Sequence, residues 1–166
     1  ASSESALPFF LTDMYQVDSE MDSVVQPNNV IVLTENTQAG GGGILTSNPT
    51  YGSSYETVYY SIHISEEFKT AATKFEQMIL NNPDSVSNKQ TFPVGSVELK
   101  VSWVNTAAID SSDLANYFVT QADLNGSTVD VAMLGMHVVG VVENHPEFIW
   151  ATFEHNELAA YYDWDQ

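Results

Sequence analysis

Three of the four histidines in this 166-residue chain, His137, His145 and His155, fall within one short stretch; the fourth is His63. Glu154 stands next to His155. Imidazole and carboxylate together suit zinc, copper or non-haem iron. His137, His155, Glu154 and His63 are therefore the candidate ligands of a divalent metal ion. No H-E-x-x-H helix or other compact ligand spacing accompanies them, and histidines on strands more often have ordinary structural roles. Whether they meet depends on how "VDVAMLGMHVVGVVENHPEFIWATFEH" folds. With Asn144 and His145 at the tip of a hairpin, His137 faces Thr152 and His155 faces Leu134, and the two rings lie on opposite faces. A loop one residue longer brings them onto one face, diagonal to each other. The metal chemistry hangs on one residue of register.

Other chemistries find less support, and no catalytic residue is assigned. There is no G-x-S-x-G for a serine nucleophile, and "GSS" at Gly52 to Ser54 has no base at a fixed spacing. Gly40 to Gly43 lack the Gly-Lys-Ser/Thr ending of a phosphate cradle, so a turn or a close backbone crossing is expected there. The run from Asp123 to Ser127 puts its glycine too early for an EF-hand loop. It reads as a tight hairpin turn at Asn125-Gly126. Acids are plentiful enough for a glycosidase pair, but the separation that defines one is set by the fold.

Charge narrows the partners. Twenty-two acids face four lysines and no arginine, for a net charge of -18. Four lysines against this excess of acids leave no basic surface to displace counterions from phosphates, so no nucleic acid is expected. Anionic membranes and phosphorylated ligands are disfavoured for the same reason. A cation, a neutral small molecule or a protein partner remains. No cysteine is present, which removes disulfides, zinc-thiolate sites and thioether haem. No apolar run reaches the roughly 20 residues of a membrane span. The opening "ASSESA" has neither the charged start nor the apolar core of a signal peptide, as a start left by cleavage would.

The elements that must position these residues follow from periodicity. Residues 1–28 read as an N-terminal arm with "LPFFL" as its anchor, and 29–166 as a single globular domain. "NVIVLTEN" is a predicted strand. "TVYYSIHI" alternates, with Val58, Tyr60, Ile62 and Ile64 on one face. Tyr59, Ser61 and His63 take the other, more polar face, which predicts a half-exposed His63. A helix starts at Ser65, with Glu66 and Glu67 in its first turn. Its apolar stripe is Phe68, Ala71, Ala72, Phe75, Met78 and Ile79, and Asn81, Asn82 and Pro83 end it. "SVELKVSWV" points Val97, Leu99, Val101 and Trp103 inward. "DSSDLANYF" predicts a short helix opened by Asp110. Residues 129–142 are apolar on both faces, so a central strand covered on both sides is expected. The return strand carries Phe148 and Trp150 as core anchors. The fold class is α+β: a mainly antiparallel sheet with one main amphipathic helix packed on it.

Read together, "TENTQAGGGGILT", "VYYSIHI" before a Phe-bearing helix, "FPVGSVELKVSW" and "GMHVVG" leading to "HPEFIWATFEH" resemble, in this order, segments of a family of exported bacterial proteins. Members are often labelled "cytochrome c family" proteins. The resemblance covers residues 30–160 and implies an exported, periplasmic or secreted setting. It maps no catalytic residue, and the label's thioether haem needs a Cys-x-x-Cys-His that this chain lacks. The leading expectation is a non-catalytic ligand- or partner-binding module with no cofactor. It rests on the acidity, the aromatic end "YYDWDQ" and the missing nucleophile constellation. A metal-binding protein or metal-dependent enzyme stands second. Non-covalent haem on His137 with Met133 or Met136 stands third.

Overall fold

A computed structural model of the chain describes residues 7–34, 57–85 and 91–156. The Gly40 to Gly43 run, "GSS" and the terminal "YYDWDQ" lie outside the described residues. Among the described residues, seven strands and one α-helix follow one another: β1 (Tyr15–Val17), β2 (Ile31–Leu33), β3 (Val58–Ile64), α1 (Glu66–Asn81), β4 (Val97–Asn105), β5 (Val119–Leu124), β6 (Ser127–Val142) and β7 (His145–Glu154). The sheet runs β1-β3-β4-β6-β5-β2, with β7 added beside β6. All pairings are antiparallel except β2 with β5, which is parallel. The α+β class is the one expected, as a nearly closed mixed sheet.

A side chain draws the two ends of the six-strand path together. Gln16 on β1 donates its Nε2–H to the Val32 carbonyl of β2 at 2.6 Å and accepts the Val32 N–H on Oε1 at 3.0 Å. Its amide thus takes the place of a neighbouring strand's peptide, satisfying groups that burial would otherwise strand. The segment expected as an arm is part of this body. Leu7 and Leu11 of its "LPFFL" anchor enter the main core, and Tyr15–Val17 pairs with β3.

The main core packs on the face of the sheet opposite α1, with Leu11, Ile31, Leu33, Val101, Trp103 and Val131 at its centre. β4 turns Leu99, Val101 and Trp103 inward as its alternation predicts. On β3 the expected division of faces holds, but the direction is reversed. Ile62 and Ile64 lie outside beneath α1, against Phe68, while Ser61 and His63 point in. His63 is 1% exposed, not half-exposed. The cause is the indole of Trp103, whose Nε1–H needs an acceptor when buried. It donates to Ser61 Oγ at 2.9 Å, and Ser61 Oγ lies 2.8 Å from His63 Nε2. His63 Nδ1 has no partner among the described residues.

α1 begins where expected. Ser65 Oγ accepts the Phe68 N–H, and the same oxygen accepts the Val97 N–H and donates to the Gly95 carbonyl. The cap therefore also fixes the start of β4. The helix covers the sheet over its first half only. Phe68 and Ala71 are buried, whereas Ile79, expected in the stripe, is 51% exposed. Asn125 and Gly126 both have positive φ in the hairpin turn joining β5 to β6, as the Asn-Gly pair predicts. "DSSDLANYF" forms short 3-10 turns instead of a helix, with Asp110 accepting the Ser112 N–H.

Burial lowers the His63 pKa from 6.5 to about 4. The unfolded chain therefore binds a proton between those values that the folded chain refuses, so stability from this group is lost as pH falls through that window. The loss by pH 4 is about 3 kcal/mol. Urea unfolding at pH 7 and pH 4.5 should show a drop that His63→Gln largely removes.

Candidate functional site

β6 has sixteen residues and three neighbours. β4 runs along one edge, while β5 and then β7 share the other. Trp103 pairs with Met133 and Ser102 with Gly135, so Leu134 is an extra residue against β4. Such a bulge shifts the pleat by one. Val129, Val131 and Met133 face the core before it, and Met136 and Val138 after it. His137 is thereby turned outward, onto the side of the sheet that carries α1. β6 lies in the middle of the sheet, as expected, but it is not covered on both sides: its outer face is open at His137. The return strand is not central: β7 is an exposed edge, with Trp150 74% exposed instead of buried. Only Phe148 of its two expected anchors packs, against Phe68 and Phe92.

The hairpin tip is Glu143-Asn144, closed by the Val142–His145 pair, not Asn144-His145. An irregularity between Gly140 and Val142 then shifts the pairing. Pro146, which has no N–H for the ladder, stands in that interval. The result is the first of the two registers considered above: His137 pairs with Thr152, and the His155 N–H donates to the Leu134 carbonyl.

On the outer face this register assembles an open hollow of about 370 Å³. Tyr60, Lys100, Ser102, His137, Thr152 and Glu154 supply its polar lining. His137 Nδ1 lies 2.8 Å from Thr152 Oγ1. Ser102 Oγ donates to the Gly135 carbonyl at 3.1 Å. The Lys100 ammonium sits 4.8 Å from the centre of the Tyr60 ring, a cation–π contact. Burial raises the pKa of Tyr60, and it raises that of the neighbouring Glu98 against the opposing charge of Lys100. Gly135 forms the floor. A Cβ there would come within 2.8 Å of the Phe153 carbonyl oxygen, so glycine is what lets β6 and β7 approach.

Of the four candidate ligands, the fold brings two to the hollow, His137 and Glu154. His63 is buried in the core. His155 stacks on Tyr117 with ring centres 3.7 Å apart and bonds to the Asn116 carbonyl. Among the described residues no group of three or more His, Cys, Asp or Glu side chains could hold a metal ion. His137 and Thr152 also form a base–hydroxyl pair, but no third group among the described residues orients the ring, as an activated nucleophile requires. Lys100, Tyr60, Ser102 and Thr152 were not legible as site residues. Lys100 and Ser102 carry one signal, the outward parity of β4, which says nothing about which strands become neighbours; alternation places Tyr60 with Ile62 and Ile64, and Thr152 with the expected anchors Phe148 and Trp150, so neither carries even that.

No family model, curated protein or solved structure matches the chain. The hollow and the adjoining edge must be read on their own chemistry. Two ligands fall short of the set that a zinc ion needs. Zinc titration should show no binding tighter than about micromolar; tighter binding that His137→Ala removes would restore the metal reading. Gly135→Ala should lower unfolding stability by roughly 1–3 kcal/mol, the cost of forcing an overpacked site apart.

Proposed function

We propose that the chain is a non-catalytic binding module of an exported, periplasmic or secreted bacterial protein, and that it meets its partner with the exposed edge strand β7, through side chains on both of its faces. The observation that carries this reading is the exposure of Ile149, Trp150 and Phe153 at 45%, 74% and 58%. A long edge strand bearing large apolar side chains is normally blunted or covered. Aromatic side chains so placed suit contact with another molecule, because they bring large area at little conformational cost. The polar hollow adjoins this edge through Thr152 and Glu154 and offers both donors and acceptors. The resemblance to exported bacterial proteins supports the setting.

The reading requires that these side chains contribute little to folding. Trp150→Ser combined with Phe153→Ser should change unfolding stability by about 1 kcal/mol or less. Fluorescence of the neutral apolar dye Nile red on the native protein should fall in the same variant. A stability loss above about 3 kcal/mol would make the two side chains core members and overturn the proposal.

A further inference from the structure

Resting on β7 as the contact surface, we infer that its free edge accepts an extended, cationic peptide segment as an additional strand. The register decides which backbone groups are available. The His155 N–H bonds to the Leu134 carbonyl, and pairing continues without a shift from Gly135–Glu154 to Gly140–Ile149. In an antiparallel ladder, directly opposed residues alternate between bonded and non-bonded pairs. Ile149, Ala151, Phe153 and His155 therefore turn their N–H and C=O groups to β6. Trp150, Thr152 and Glu154 turn theirs outward, where no strand pairs with them among the described residues. Pro146 and the irregularity beside it end this edge on one side.

Backbone bonds supply affinity in strand addition, and side chains on alternate positions supply selectivity. The side chains here are of two kinds. Trp150 and Thr152 flank the new strand on the outer face beside the hollow, and Ile149 and Phe153 on the other. These suit β-branched residues of a partner. Charge sets the rest. From Val141 to Asn156 the chain carries Glu143, Glu147 and Glu154 and no lysine or arginine, within a net charge of -18. A second copy of this chain would meet the same carboxylates and the same field, so like-charge repulsion opposes self-pairing. A segment ending in lysine or arginine is attracted by both.

The probe is a labelled peptide, acetyl-Lys-Thr-Val-Thr-Val-Thr-Lys-amide, beside the same sequence with glutamate at both ends. Fluorescence anisotropy should show the lysine-ended peptide binding at least about tenfold more tightly at low salt, with the difference shrinking as salt rises. Thr152→Pro removes one outward N–H and spares the bonds to β6, so it should abolish binding while the protein stays folded by circular dichroism. Trp150→Lys keeps every backbone group but places a charge on the edge, and it should weaken the lysine-ended peptide if Thr152→Pro fails to fold. No binding of the lysine-ended peptide overturns the inference. So does unchanged binding in these variants, or sedimentation showing a dimer that Trp150→Lys dissolves. Nile red binding that survives such a result would leave the contact surface in place without strand addition.

Discussion

The hollow on the outer face of this protein takes its position from one extra residue in β6. The bulge at Leu134 moves the pleat by one step halfway along a sixteen-residue strand. Without it, Met136 and Val138 would leave the core and His137 would enter it. With it, apolar residues of both parities reach the interior in turn, and the outer face receives the imidazole. The same strand changes neighbours near that point, from β5 to β7. One strand thus closes the body with its first half and builds an exposed hairpin with its second.

The interior is held by apolar packing, with a few polar groups that must find each other. Trp103, Ser61 and His63 form one chain of contacts, and the Gln16 amide holds the two ends of the sheet. Both follow the same rule: a buried donor or acceptor left alone costs more than a made hydrogen bond returns. Burial of a neutral imidazole is tolerable, whereas burial of a charged one is not. His63, which alternation predicts to be half-exposed, is for this reason a neutral group and is the most buried of the four histidines.

The surface combines two properties that pull apart. High negative charge keeps copies of the chain away from each other. An apolar edge that no strand pairs with among the described residues invites another strand. Together they favour a partner unlike the chain itself. The hollow beside the edge adds polar groups fixed by backbone pairing, with glycine at the one place where two strands come too close for a side chain.

Much was legible in local pattern. The Ser65 cap, the Asn125-Gly126 turn and the inward face of β4 depend on residues near one another in sequence or on simple alternation, whereas the register of β7 on β6 stayed open between two values and was set by the irregularity beside the turn. The composition alone removed thiol chemistry and set four lysines and no arginine against twenty-two acids. Tertiary structure decided the remainder. Alternation sorts residues into two faces but does not say which face is inside, so β3 was read the wrong way round. An apolar run does not reveal a bulge, because the shift arises from pairing with another strand. Nor does an aromatic strand declare whether it is centre or edge: Trp150 could have been buried, and only the order of strands left it in the open. Those outcomes depend on contacts between distant segments, whose energies no short stretch of sequence contains.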